Sequence, residues 1–273
     1  MRRAQLTINS VSTRHGGLEE ALDAYANAGF TLVEFVLPQL KAYIAQGHTL
    51  DDTRALLARY NLQAIGGFET AIICFGSPEQ QRANHDLLLN NARLIHELGG
   101  GTMVIGTDGP EQVTSDTLPI IAENVRDLAR GMEGLQVAIA VEFNWSPVIK
   151  SLHSAVQVVQ QVAHPQVGIL FDPAHYYTTV TKFEHLTTEI VPLIKHVHLN
   201  DMRDKPGDLS NCNSDRVLPG QGVLDLRAII ARLEEFGYHG LYSIEMFNED
   251  LWQLPAAQAA AQCYQSLLPL CSD

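Results

Sequence analysis

The chain has 273 residues, 46% hydrophobic and 18% charged, which is enough apolar material for a buried core and too little charge for a disordered chain. Its net charge of −13 at pH 7 with neutral histidines repels phosphate backbones and argues against nucleic acid as the main partner. No run approaches the roughly 18 consecutive apolar residues of a membrane span, so no membrane partner is expected.

Short β-rich runs alternate with longer amphipathic patterns along the whole sequence. In chain order the first half predicts strand Gln5–Ser10, helix Leu18–Asn27, strand Leu32–Leu37, helix Leu50–Tyr60, strand Gln63–Phe68, helix Pro78–Leu98, strand Thr102–Thr107 and helix Thr117–Met132. The second half predicts strand Gln136–Phe143, helix Pro147–Val162, strand Val167–Asp172, helix Phe183–Val191, strand His196–Asn200, helix Leu224–Phe236, strand Tyr242–Met246 and helix Pro255–Leu268. Glycines after Ala28, Leu98, Glu133 and Phe236 supply helix-stop signals. Gly99–Gly101 precede a strand, so they form a tight turn and not a phosphate loop, which follows a strand.

Eight strand–helix pairs of roughly 34 residues each match the βαβ repeat, and they predict an α/β protein with a single (β/α)8 barrel over residues 1–273. No linker or compositional break divides the chain. The long irregular stretch Asp201–Gly222 follows the seventh strand, on the face where barrels carry their chemistry. Arg2 and Arg3 lead into a mixed segment unlike a signal peptide. Cys74, Cys212, Cys263 and Cys271 form neither a C-x-x-C pair nor a disulfide framework, so reduced thiols and a cytoplasmic location are expected.

The active site of a barrel lies at the C-terminal ends of its strands. The last four predicted strands end on Glu142, Asp172, His198 and Glu245, which would converge on one point at the mouth. Three carboxylates and an imidazole suit one divalent ion such as Mn²⁺, Co²⁺ or Mg²⁺, with Zn²⁺ also acceptable. Without a cation the mutual repulsion and desolvation would be costly. A divalent ion chelating adjacent oxygens of a hydroxyketone acidifies the C–H between them and stabilises the enediolate.

The series Glu142, Asp172-x-x-His175, His198-Leu199-Asn200-Asp201 and Glu245 resembles the metal-site order of the xylose isomerase-like barrels, which include ketose 3-epimerases, inosose dehydratase and endonuclease IV. The resemblance covers essentially the whole chain. It implies that Glu142, Asp172, His198 and Glu245 bind the metal, that Glu142 and Glu245 move protons, and that His175 relays or polarises a carbonyl. It likewise matches Arg216, before Pro219-Gly220-Gln221-Gly222, to a substrate-contacting arginine, and it implies a homo-oligomer. The implied function is a metal-dependent sugar isomerase or epimerase acting on a sugar or polyol ketone, with dehydration of a cyclic keto-polyol or a dehydroshikimate-like ring as the alternative and a non-catalytic sugar-binding barrel as a further one.

Two departures stand out: no glutamate follows Glu142 in Asn144-Trp145-Ser146-Pro147-Val148, and Met202–Ser214 is a long insertion before Arg216. The reading Asp215-Arg216-Val217, where endonuclease IV carries a histidine ligand, speaks against DNA repair. The acidic segment Phe247-Asn248-Glu249-Asp250 disfavours a sugar phosphate.

Each residue also has a plainer reading. His175 either serves the site or begins a surface helix, and Arg216 either meets substrate or pairs with Asp215 or Asp225. Glu34, inside an apolar strand, either contacts substrate, bonds within the mouth or pairs with Lys41 or Arg14. Trp145 and Phe68 either stack on a sugar or pack, and Trp252 either closes the pocket or anchors a subunit contact. Asn200 and Asp201 either cap the loop or orient His198, while Asn9, His15 and Glu69 are pocket walls.

Overall fold

In the computed structural model, which describes residues 1–14 and 16–272, eight strands close into a parallel barrel: β1 (Leu6–Asn9), β2 (Leu32–Val36), β3 (Gln63–Phe68), β4 (Thr102–Ile105), β5 (Ala138–Glu142), β6 (Val167–Phe171), β7 (Ile194–Leu199) and β10 (Tyr242–Ile244). β10 closes the ring between β7 and β1. The predicted (β/α)8 barrel therefore forms; β3 has the predicted bounds, β7 starts two residues earlier than predicted, and the other six strands are one to three residues shorter than their predicted runs. His15, expected as a pocket wall, lies outside the described residues.

Helices α1 (Leu18–Ala28), α3 (Leu50–Arg59), α4 (Pro78–Glu97), α5 (Thr117–Gly131), α8 (Leu226–Glu235) and α10 (Ala256–Leu267) fall where the periodicity places them, while α6 (Leu152–Val162) starts five residues later than predicted, after Ser151 caps it by accepting from Ser154 N. An additional helix, α2 (Leu37–Ala45), begins on the residue expected to end a strand. Pro38 sits in its first turn, where a missing N–H is harmless. The helix expected over Phe183–Val191 does not form. That connection holds only the short α7 (Pro173–Thr178) and 3-10 turns at Phe183–His185 and Val191–Leu193. The paired β-branched residues Thr187 and Thr188, followed by Pro192, oppose a continuous helix there.

Alternation along the strands divides the barrel. One set of positions, among them Ile8, Phe35, Val141, Phe171, Val197 and Ile244, packs into the main core beneath the helices. The other set faces inward, and its two halves differ. Val104, Ala140 and Leu170 make a small apolar cluster with Phe68 and Trp145 against it. Across from them stand buried polar residues in register with one another: Thr7 beside Ser243, Ser243 beside His198, and Asn9 beside Glu34. Register shifts at Val33/Glu34 and Ile169/Leu170 interrupt the ladders at this level, and such bulges re-aim side chains.

The long segment after β7 is built on a strap, β8 (Asp201–Met202) paired antiparallel with β9 (Arg216–Val217). Asp201 is buried, and its carboxylate accepts from four backbone N–H groups: Met202 at 2.8 Å and Gly220, Gly222 and Leu224 at 3.0 Å each. The turn after β9 needs its glycines, since Gly220 has φ +84° and a Cβ on Gly222 would lie 2.2 Å from the Met202 carbonyl oxygen. After β10, a short helix α9 (Glu249–Trp252) leads to α10. Replacing Asp201 with Ala strands those donors, so Asp201→Ala should lower stability by about 2–4 kcal/mol. Asp201→Asn, which keeps one acceptor oxygen, should lose less, with urea denaturation giving both values.

Candidate metal centre

β5, β6, β7 and β10 bring Glu142, Asp172, His198 and Glu245 together, with one donor atom from each lying within 4.8 Å of the others. All four are buried. His198 Nδ1 lies 3.1 Å from Glu245 Oε2, 3.8 Å from Asp172 Oδ2 and 4.0 Å from Glu142 Oε1. Despite that surrounding, Nδ1 has no hydrogen-bond partner.

The surroundings treat the groups differently. Burial pushes the Glu142 carboxyl up, only partly opposed by His175, whose Nε2 is 3.0 Å from Oε1. Burial also disfavours charge on Asp172, but the Arg216 guanidinium and the nearby imidazoles outweigh it and hold the carboxyl far below its usual range. Asp172 caps α7 by accepting from Ala174 N at 2.7 Å, and Asn200 Nδ2 reaches both of its oxygens at 3.0 and 3.2 Å. For Glu245 burial is likewise outweighed by His198 and Arg216, which lower its pKa. Burial opposes charging of His198 too, yet Glu245 and Glu34 raise its ring well above the ordinary imidazole range. The carboxylates on both sides of the ring thus make its surroundings favourable to a proton or a metal cation.

These residues fit a divalent ion: the donor set is hard and oxygen-rich, its charge is in surplus, and the one imidazole nitrogen aimed into it is orphaned. Arg216 compensates part of the surplus. It is fully buried, with Nη1 2.6 Å from Glu245 Oε2, Nη2 3.1 Å from Asp172 Oδ2, and Nε donating to the Cys212 carbonyl at 2.6 Å. Of its expected surface partners, Asp215 pairs with Lys205 at 2.9 Å and Asp225 caps α8.

Above the carboxylates opens a cavity of about 310 Å³. Phe68, Trp145 and Phe247 form its apolar walls, with Phe68 and Trp145 edge-to-face at 5.9 Å. His175, on α7, is buried at the cavity floor, its Nδ1 3.2 Å from Asn144 Nδ2, so it is not a surface residue. Burial opposes a charge on His175, but Asp172 above all, with Cys212 and Glu142, outweighs it and raises the ring pKa to about 10.

Other placements differ from expectation. Glu34 takes the reading of a group bonded within the mouth and not that of a substrate contact: it is absent from the cavity lining, fully buried beneath His198 and bonded to Asn9, His196 and His198. Its suggested partners are engaged elsewhere, Lys41 with Glu69 and Arg14 over the Trp252 ring at 3.5 Å. Trp252 is buried and donates Nε1–H to the Val11 carbonyl at 2.7 Å, so it braces the β1 loop and is not among the cavity-lining residues. Asn9 sits inside the barrel, and Glu69 bonds Asn91.

Sequence reasoning did not single out Asn144, Cys212, Asn213 or Phe247 as cavity residues, nor His196 as a partner of Glu34. For His196 a signal existed, because in His196-Val197-His198 the two histidines share one face of a strand. Asn144 takes φ +70°, a conformation asparagine tolerates better than most residues, but nothing local in the sequence announces it.

A family model for the xylose isomerase-like TIM barrel matches residues 22–267. The chain is similar to an inosose isomerase of Bacillus velezensis, 32% identical over 140 residues that cover 50% of this chain and 49% of that one. It is also similar to a 3-dehydroshikimate dehydratase of Pseudomonas putida, 27% identical over 97% of this chain and 41% of the relative. The matches to these curated relatives thus span about half of their length or less. Among solved structures, an IOLI protein described with a binding zinc atom superposes with a TM-score of 0.88 over 98% of both chains at 22% identity, a likeness of fold. No helix among the described residues is long and apolar enough to cross a membrane.

If the cluster holds the ion, isothermal titration of chelator-stripped protein with MnCl2 should give one site per chain. His198→Ala should weaken that site by more than about 100-fold. Metal at about 100 times its Kd should stabilise the wild type by about 2.7 kcal/mol, readable as a rise in Tm.

Proposed function

Because the chain belongs to the xylose isomerase-like TIM barrel family, we propose that it is a divalent-metal-dependent isomerase or epimerase that moves a proton on the carbon beside the carbonyl of a polyhydroxylated ketone. The observation that carries this reading is a pair of glutamates, Glu142 and Glu245, brought into one buried cluster with Asp172 and His198 and lining the same cavity of about 310 Å³. Two carboxylates facing one cavity can serve in turn as base and acid toward a substrate held between them.

Glu245, kept ionised by His198 and Arg216, takes the proton. Glu142 returns one on the other side of the substrate, and His175 at Oε1 holds that carboxyl in place. A divalent ion bound by Glu142, Asp172, His198 and Glu245 supplies Lewis-acid polarisation of adjacent substrate oxygens. The donor set suits Mn²⁺, Co²⁺ or Mg²⁺ and accepts Zn²⁺. Phe68, Trp145 and Phe247 offer apolar faces to the carbon skeleton, while Asn144 and Asn213 offer amides to hydroxyls. Of the basic groups lining the cavity, Arg216 is already engaged by two carboxylates and His175 by Glu142, which favours an uncharged polyol ketone over a sugar phosphate. The names of the inosose isomerase relatives agree with a cyclic substrate.

A second reading, dehydration, is favoured by the match to 3-dehydroshikimate dehydratase along 97% of the chain. In that case Glu245 removes the proton and a β-hydroxyl leaves as water with a proton delivered by Glu142.

NMR in D2O with Mg²⁺-loaded and chelated protein, on a panel of inososes, ketoses and 3-dehydroshikimate, separates these. Metal-dependent deuterium uptake beside the carbonyl with an isomeric product supports the first reading, and a product short of one water supports the second. Absence of uptake on every compound counts against both. Glu142→Gln and Glu245→Gln should each reduce turnover by about 10²–10⁴-fold with an unchanged circular dichroism spectrum.

A further inference from the structure

Glu34 is a carboxylate with 0% exposure inside the barrel, and a buried charge persists only where partners hold it. Its partners all point one way. His198 Nε2 lies 3.3 Å from Oε1 and 3.2 Å from Oε2, so the carboxylate straddles that N–H. His196 Nε2 and Asn9 Nδ2 reach Oε2 at 3.2 and 3.1 Å. The same Asn9 amide also lies 3.4 Å from Glu245 Oε1, and its own oxygen accepts from Val11 N at 3.0 Å. The His196 ring stands at 84° to the His198 ring, so the two N–H groups approach the carboxylate from different directions.

We infer that Glu34, fixed by His196 and Asn9, is a positioning residue that holds His198 with its proton on Nε2 and its Nδ1 lone pair toward Glu142, Asp172 and Glu245, and thereby sets the metal affinity of the centre. The inference rests on the metal-centre reading above. With Nε2–H donating to Glu34, Nδ1 is the nitrogen left over, and it is the one that has no hydrogen-bond partner and faces the three carboxylates. A carboxylate behind a ligating histidine fixes its tautomer and rotation and strengthens it as a donor. Glu34, His196 and His198 also lie close enough to form a three-donor group of their own. Both Nε2 atoms already turn to Glu34, however, so this group reads as a hydrogen-bonded support and not as a second ion site.

Glu34→Gln keeps the volume and one acceptor while removing the charge. On chelator-stripped full-length protein, titration with MnCl2 should give one site in both forms, with E34Q weaker by about 10–100-fold and the metal-free Tm shifted little. Long-range ¹H–¹⁵N spectra of the Zn²⁺-loaded wild type should show His198 protonated on Nε2. This second readout decides the question even if E34Q does not fold, because a proton on Nδ1 overturns the inference. Equal affinity of wild type and E34Q, or two Mn²⁺ sites per chain, overturns it while leaving the metal centre in place. No Mn²⁺ binding by the wild type overturns the metal-centre reading and this inference together.

Discussion

The constraint on which this structure turns is electrostatic: three carboxylates are buried around one imidazole, where repulsion and desolvation both oppose them. Such a cluster stands only if positive charge and hydrogen-bond donors are delivered to it from outside its own strands. Arg216 delivers a full charge to Asp172 and Glu245, Asn200 donates to Asp172, Asn9 to Glu245, and His175 meets Glu142. Each of these supports comes from a different segment of the chain, so the site and the barrel are specified together.

Arg216 shows how the requirement propagates. It arrives on β9, the second strand of a strap whose base is tied by Asp201 to four backbone N–H groups. The turn closing that strap needs a glycine at position 222, because a side chain there would collide with the Met202 carbonyl. The long segment after β7 is thus an ordered device that brings a guanidinium under the cavity. Through Cys212, whose carbonyl accepts from Arg216 Nε, it also brings a wall to that cavity.

The barrel and the convergence of Glu142, Asp172, His198 and Glu245 were legible in the sequence because both follow from local pattern. Apolar runs mark strands, and a polar residue ending a strand of a parallel barrel must sit at the mouth. What escaped depends on contacts between distant residues. For Glu34, bonding within the mouth was one of three open readings, and its partners could not be named because His196 and His198 lie more than 160 positions away and only barrel closure brings them near. The failed helix at Phe183–Val191 had a local sign in Thr187, Thr188 and Pro192, which amphipathic spacing outweighed in the reading. The walls at Cys212, Asn213 and Phe247 belong to loops whose course is set by Asp201 and Arg216, and no periodicity describes them.

The division of the barrel interior gives these observations a common cause. Val104, Ala140 and Leu170 fill one half with apolar atoms, and the adjoining Phe68 and Trp145 rise from that half to wall the cavity. The other half, from β2 through β1 and β10 to β7, is polar at every inward level that carries Thr7, Asn9, Glu34, His196, His198, Ser243 and Glu245. A polar half-lumen weakens the core, since these groups displace packing that aliphatic side chains would supply. Its compensation is orientational, because a histidine backed by a fixed carboxylate cannot rotate away from the cluster. The arrangement places rigidity beneath the charged centre and apolar surface beside it, so substrate preference can change through the walls without disturbing the groups that carry the charge.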